Sequence, residues 1–116
     1  MTARLNYLSH DRPDIKHCVA DLCCSMASPT GADLEKLKRV VRYLRGHPQV
    51  QWLYAWQAEP EAVNAWSDSD WAGHKGTRRS TSASCLMVGT HLIKIMSRRQ
   101  RVIALSSAEA ELYATV

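Results

Sequence analysis

The sequence lacks the features that mark membrane-spanning, secreted and metal-finger proteins. No apolar run in its 116 residues approaches the roughly 18 residues that cross a bilayer, and no apolar leader is present. The four cysteines form no C-x-x-C pair and no convincing disulfide framework, so we expect buried thiols in a reducing compartment. We therefore expect an intracellular chain that makes no membrane contact; the cysteines concerned are Cys18, Cys23, Cys24 and Cys85.

Acidic residues are absent from a long stretch that lies between two acidic clusters. Residues 71–108 contain seven Lys/Arg and no Asp or Glu, whereas Asp68 and Asp70 precede this stretch and Glu109 and Glu111 follow it. Carboxylates hold Mg²⁺ and commonly share it with substrate phosphates, so acid pairs beside basic surface predict phosphoryl chemistry on a polyanion. The alternative is that these are ordinary solvated charges. The net charge of +4 permits nucleic-acid binding without proving it.

The first half of the chain has apolar residues at helical spacing. One stripe follows Pro13, which suits a first helical turn, and consists of Ile15, Val19, Leu22 and Met26. A second stripe consists of Leu34, Leu37, Val41 and Leu44; Thr30 and Asp33 indicate its start, and Gly46 and Pro48 its end. The other face of this second helix is basic and either grips phosphates or is simply solvated; it carries Lys36, Lys38, Arg39, Arg42 and Arg45.

The second half is rich in β-branched, aromatic and small residues. We expect a short strand at residues 50–56, then strands at residues 62–71, 81–88 and 91–96, with a tight hairpin turn at Gly89 and Thr90. A helix should begin near Ser106. The fold class is therefore α/β (α+β), with a helical segment followed by a three-stranded antiparallel meander and a helix.

Two periodicities separate the roles of the four acidic residues. Side chains alternate along a strand, so Asp68 and Asp70 should point the same way. Residues two apart on a helix lie roughly 200° apart, so Glu109 and Glu111 cannot face one metal. Ser106 and Glu109 have capping-box spacing, with the Glu109 side chain expected on the Ser106 N–H. Glu111 remains as the better ligand, and we expect the neighbouring Leu112 to pack inward.

Five segments, in order, resemble the Pol polyprotein of copia-type retrotransposons. They are RPDI at residues 12–15, LKRVVRYLRG at 37–46, WSDSDWAG at 66–73, RRSTS at 78–82 and ALSSAEAE at 104–111. The resemblance implies a helical segment from the end of a reverse transcriptase at residues 1–47. It further implies a junction at residues 48–60 and a partial ribonuclease H-like domain at residues 61–116. The resemblance also implies two further strands of that domain that this sequence does not contain. A natural chain that continues past Val116 would favour a nuclease, and one that ends there would favour a non-catalytic relic.

The resemblance also implies an activity and a site. Ribonuclease H enzymes hold two Mg²⁺ ions, or Mn²⁺ in their place, with four carboxylates and hydrolyse the RNA of an RNA–DNA hybrid. Asp68 and Glu111 match two of those catalytic ligands, with Asp70 as a further metal candidate. Because only two of the four are assigned, we expect this chain alone to be inactive. The implied partners are the hybrid and the remainder of Pol, with no small-molecule cofactor, in the cytoplasm (virus-like particle) or the nucleus.

The basic stretch could follow the phosphates of a hybrid, and its contacts would position the substrate without reading its sequence. The expected contacts are Lys75, Arg78, Arg79, Arg98, Arg99 and Arg101, with Lys94 in the same stretch. An ordinary exposed turn is the alternative for the arginines at the end of the stretch. A non-catalytic nucleic-acid-binding fragment or relic of a retroelement therefore remains the alternative to a nuclease.

Overall fold

The computed structural model describes residues Met1–Val116, which form two compact units, Met1–Leu53 and Tyr54–Val116. The first unit is helical. It contains α1 (Thr2–Leu8), a single 3-10 turn (Pro13–Ile15), α2 (Lys16–Cys24) and α3 (Gly31–Gly46). The second contains strands β1 (Val63–His74), β2 (Arg79–Val88) and β3 (His91–Arg99), followed by α4 (Ser107–Thr115). None of the helices has the length and apolar character that a membrane span needs.

The first unit is held together by a small apolar core. Leu5 of α1 contributes to it, together with Ile15, Val19 and Leu22 at the start and along α2, and Val40 of α3. The start of α3 was predicted correctly: Thr30 accepts a hydrogen bond from the Asp33 N–H, and the Asp33 carboxylate accepts one from the Thr30 N–H. This reciprocal pair satisfies backbone donors that a helix start otherwise leaves without partners.

Three residues that the apolar stripes assigned to the core are exposed, so the prediction was wrong for them. Met26 and Leu34 are each 52% exposed, and Val41 is 40% exposed. The buried residue of α3 is instead Val40, because it is the one that packs in the core cluster with Ile15, Val19 and Leu22. The helix α1 was not predicted.

The predicted antiparallel meander is confirmed, with strand order β1-β2-β3. The β1–β2 register is regular from Val63↔Val88 to Asp70↔Thr81 and then shifts before His74↔Arg79. Gly89 adopts φ +58° in the β2–β3 turn, a conformation that favours glycine. The mixed α/β architecture is consistent with a partial ribonuclease H-like fold.

The strand predicted at residues 50–56 is absent. The segment before β1 contacts the β2–β3 turn through side chains: the Tyr54 hydroxyl donates to the Leu92 carbonyl at 2.8 Å, and the Gln57 amide donates to the Val88 carbonyl at 2.9 Å. Gln57 Oε1 also accepts from the Thr90 N–H at 2.9 Å. Side-chain contacts therefore take the place of strand pairing there.

The last helix packs against the sheet through small residues. Ser106 caps α4, as predicted, and Ala110 is its buried residue. Leu112 is 63% exposed, so the expectation that it packs inward was wrong.

All four cysteines are free thiols. Cys18 and Cys24 are exposed, and Cys23 and Cys85 are half-buried. The expectation of buried thiols was therefore wrong.

Candidate carboxylate site and basic surface

Ser69, in the middle of β1, contacts two of the acidic residues singled out from the sequence. Its backbone N–H donates to Asp68 Oδ1 at 2.8 Å, and its hydroxyl donates to Glu111 Oε1 at 3.0 Å. The second oxygen of each carboxylate has no hydrogen bond. Both acidic side chains are exposed, so these oxygens are accessible. Ser69 was not identified from the sequence; its only signal was its position between Asp68 and Asp70.

The two carboxylates approach Ser69 from different sides of the strand. Because side chains alternate along β1, Asp68 points to the face opposite to that of Ser69, and Glu111 reaches the Ser69 face from α4. β1 is an edge strand, so the two faces meet along its unpaired edge.

Asp70 is held by the neighbouring strand. Its Oδ1 accepts a hydrogen bond from the Thr81 N–H, and its carboxylate lies close against Gly73, where a Cβ would collide with it. One of its oxygens is thereby committed to the sheet. No group of three or more His, Cys, Asp or Glu side chains lies close enough together to hold a metal ion.

Glu109 faces the start of α4. Its backbone N–H donates to the Ser106 hydroxyl at 3.1 Å. Its carboxylate accepts from the Leu105 N–H at 2.7 Å, one residue before the predicted partner Ser106, and from the Tyr113 hydroxyl at 3.1 Å. The hydrogen bond to Glu109 raises the pKa of Tyr113. This structural role leaves Glu111 as the acidic residue of α4 that faces β1.

A buried glutamine fixes α4 against the sheet. Gln100 is 7% exposed, and its Nε2 donates to the Ser82 hydroxyl at 3.0 Å and to the Ala110 carbonyl at 2.9 Å. Its backbone N–H donates to the Ser80 carbonyl at 2.8 Å. Because Ala110 directly precedes Glu111, this link helps to set where the Glu111 carboxylate lies. The signal for this contact is a row of small serines on β2, which lets a helix approach closely.

The basic residues lie at two places in the second unit. Lys75 and Arg78 are exposed in the turn between β1 and β2, where Arg78 has φ +58°, and Arg79 begins β2. Arg98 and Arg99 end β3, and Arg101 follows. Arg98 and Arg101 line a cavity of about 390 Å³ together with Gln100 and Tyr113. The pairing of Thr81 with Arg99 and the hydrogen bond from the Gln100 N–H to the Ser80 carbonyl place both groups at the same end of the sheet.

The first unit contains a separate polar network. Arg12, which is 7% exposed, donates to both oxygens of Asp14 at 3.0 and 2.7 Å. These bonds hold the pKa of Asp14 below its ordinary value, and the hydrogen bond to Asp14 raises the pKa of Tyr43. The RPDI segment therefore has a structural role, because it joins the 3-10 turn to α3.

The chain is a two-unit α/β protein: a helical unit precedes a mixed α/β unit, which has exposed carboxylates on β1 and α4. Sequence comparison supplies the family. The chain is 42% identical over 107 residues to "Uncharacterized mitochondrial protein AtMg00810" of Arabidopsis thaliana, covering 92% of the chain and 44% of that protein. It is 38% identical over 107 residues to "Retrovirus-related Pol polyprotein from transposon RE1" of the same plant, covering 7% of the polyprotein.

A third relative is named neither as a mitochondrial protein nor as a Pol polyprotein. "Secreted RxLR effector protein 161" of Plasmopara viticola is 36% identical over 100 residues, which cover 86% of the chain and 70% of that protein. No family model and no solved structure matches the chain. The chain belongs to the family of retrovirus-related Pol polyproteins of transposons and the fragments related to them. It spans less than half of AtMg00810 and a small part of RE1.

Proposed function

We propose that the second unit is the ribonuclease H-type part of a transposon Pol polyprotein and acts on the RNA strand of an RNA–DNA hybrid. The observation that carries this proposal is the placement of Asp68 and Glu111 on the two donors of Ser69. The family supports it, because a Pol polyprotein acts on nucleic acid during reverse transcription.

The donor set suits Mg²⁺, or Mn²⁺ in its place. Mg²⁺ is typically bound by one or two carboxylates together with water and substrate phosphates. Asp68 and Glu111 each have one oxygen without a hydrogen bond, and we assign both as ligands at the unpaired edge of β1. Asp70 is the weaker candidate because Thr81 already engages it. When bound, such an ion lowers the pKa of its water and neutralises charge on the leaving oxygen.

The remaining residues have positioning roles in this proposal. Ser69 and Gln100 orient Glu111 through the strand and the helix. The basic residues contact phosphates of the hybrid and hold it without reading its sequence. They are the half-buried Arg99 and the exposed Lys75, Arg78, Arg79, Arg98 and Arg101.

A non-catalytic role in nucleic-acid binding is the second candidate. One observation favours it: only two exposed carboxylates adjoin Ser69, whereas a two-metal site needs more ligands to clamp both ions. In that case the basic residues would bind hybrid or duplex, and Asp68 and Glu111 would be surface charges.

Cleavage of an RNA–DNA hybrid labelled on its RNA strand tests the proposal. We would compare this chain with a chimera in which the residues that follow the aligned region in the RE1 polyprotein are appended. We expect no cleavage by the chain alone. The chimera should cleave in Mg²⁺ or Mn²⁺ and lose activity on Asp68→Asn or Glu111→Gln, while the exposed acid Glu61, changed to Gln, serves as the matched control.

Two results would contradict this function, and a third would contradict only the expectation that the chain alone is inactive. An active chimera that is indifferent to both substitutions would reject the site. An inactive chimera that binds hybrid tightly would support the non-catalytic alternative. Cleavage by the chain alone that disappears in Asp68→Asn would show that two carboxylates suffice.

A further inference from the structure

A groove in the first unit lies between α2 and α3. Its volume is about 490 Å³, within the range of about 300–1,000 Å³ that is typical of ligand sites. The buried side chains of Ile15 and Val40 provide an apolar floor, and the exposed Cys18 forms part of its wall. A concave surface with an apolar floor can accept a flat, weakly polar group.

Positive charge remains at this groove after its ion pairs are counted. The two acids that line it are already neutralised, Asp21 by Lys36 at 2.7 Å and Asp14 by Arg12 at 2.7 Å. Arg39 lines the same groove, is exposed and forms no ion pair. Arg42 does not line the groove itself, but it is also exposed and unpaired and follows Arg39 by nearly one helical turn. The charge that would complement this rim is negative.

An aromatic side chain is fixed beside the unpaired arginine. Tyr43 lines the groove, and its ring stacks on the His47 ring with centroids 4.7 Å apart and an interplanar angle of 21°. Asp14, which also lines the groove, raises the pKa of the Tyr43 hydroxyl. A fixed aromatic ring next to unpaired positive charge is the combination that proteins use to bind single-stranded nucleic acid, because every base can stack and every nucleotide carries a phosphate.

We propose that this groove binds one nucleotide of a single-stranded nucleic acid, with its base on the apolar floor beside Tyr43 and the flanking phosphates on Arg39 and Arg42. Paired and stacked bases of a duplex cannot enter such a groove, so single strands should be preferred. This binding is independent of the carboxylates of the second unit and of any cleavage activity.

Fluorescence anisotropy with a labelled single-stranded RNA of about eight nucleotides tests this site in the full chain. Arg39→Gln combined with Arg42→Gln should weaken binding roughly tenfold and lower the slope of log K against log salt by about 0.7 for each lost phosphate contact. Arg4→Gln combined with Arg45→Gln removes the same charge from exposed positions that do not line the groove. This control should weaken binding much less.

A second variant tests the groove without changing charge. Cys18→Phe places a large side chain at an exposed position in the wall, so it should reduce affinity for the single strand while leaving the salt slope unchanged. Circular dichroism at 222 nm would verify that each variant keeps its helices.

Two outcomes would overturn the proposal. Equal weakening by both arginine pairs, with no effect of Cys18→Phe, would show diffuse attraction to the whole chain. Binding of a labelled Leu- and Glu-rich peptide that is lost in the Arg39 and Arg42 variant, with RNA binding unaffected, would make the occupant an acidic peptide. Hybrid binding by the second unit should be the same in all of these variants, which separates this test from that of the nuclease.

Discussion

The Ser69 hydroxyl donates a hydrogen bond to Glu111 Oε1 at 3.0 Å and so connects two residues that are 42 positions apart in the chain. The contact joins the middle of β1 to α4. Ser69 also contacts the other matched carboxylate, because its backbone N–H donates to Asp68 Oδ1 at 2.8 Å. Ser69, which carries no proposed catalytic chemistry, therefore contacts both halves of the candidate site, Asp68 through its backbone N–H and Glu111 through its hydroxyl.

We predict that Ser69→Ala lowers the free energy of unfolding of the second unit by about 1 kcal/mol, since a hydrogen bond to a charged but exposed partner has a modest net value. Urea unfolding followed by circular dichroism measures this. Ser67→Ala, an exposed serine two positions earlier on the same strand face, is the matched control and should have little effect. If the two variants unfold at the same urea concentration, Ser69 does not hold α4 against β1.

Gln100 should matter more to stability than Ser69. Gln100→Ala removes the donor of two hydrogen bonds and leaves the half-buried Ser82 hydroxyl and the buried Ala110 carbonyl without that partner. The expected loss is about 2 kcal/mol or more, because unsatisfied buried groups keep their desolvation penalty. Urea unfolding should show this loss, while the exposed Gln51, changed to Ala, should leave the transition unmoved. A loss no larger than that of the Gln51 variant would contradict the buried network.

Local signals in the sequence predicted much of the fold. The pairing of Thr30 with Asp33 and of Ser106 with Glu109 fixed two helix starts, because capping depends on residues three apart. The turn at Gly89 was also predicted from local residues, because Gly89 and Thr90 between two strands suit a tight hairpin. In contrast, the apolar stripe predicted Val41 as the buried valine, whereas the structure buries Val40. Both lie near the edge of the stripe, and only contacts with α2 decide which of them is buried.

The candidate site was predictable only in part. Alternation along β1 and the helical angle in α4 singled out Asp68 and Glu111, yet neither periodicity shows that Ser69 lies between them. The role of Gln100 was hidden for the same reason, since its partners Ser82 and Ala110 are distant in sequence. Long-range hydrogen bonds of this kind depend on packing, which a local pattern does not contain.

Acid should destabilise the first unit through Asp14. Its pKa lies below the ordinary value of 3.8 because the Arg12 guanidinium donates to its carboxylate. The unfolded chain therefore binds this proton at a higher pH than the folded chain does. The stability that the pair contributes is present above about pH 4 and is lost as the pH falls through the lowered value.

Thermal unfolding at a series of pH values measures this effect. Between about pH 5 and about pH 2 the midpoint should fall less steeply in Asp14→Asn than in the parent chain. The exposed Asp11, which forms no ion pair, provides the control on changing to Asn. Some acid sensitivity should remain in the Asp14 variant, because the hydrogen bond from Thr30 also lowers the pKa of Asp33. A parent-like slope in Asp14→Asn would contradict the assigned role of this pair.

The last prediction concerns how the second unit holds nucleic acid. Arg98 and Arg101 are exposed, and Arg99 is half-buried; all three lie where β3 ends and the chain turns toward α4. If they contact phosphates, binding of an RNA–DNA hybrid should be weak, independent of sequence and strongly salt-dependent, because release of condensed counterions drives it. Replacing all three with Ala should weaken hybrid binding and lower the slope of log K against log salt by roughly 0.9 for each lost contact, the value for duplex DNA.

Anisotropy titrations of a labelled hybrid at several salt concentrations measure both quantities. The Arg39 and Arg42 variant of the first unit is the control, since it should lose single-strand binding and retain hybrid binding. An unchanged salt slope in the triple variant would show that these arginines are solvated charges, and the hybrid would then have to contact other residues, with Lys75, Arg78 and Arg79 of the β1–β2 turn the next to be changed.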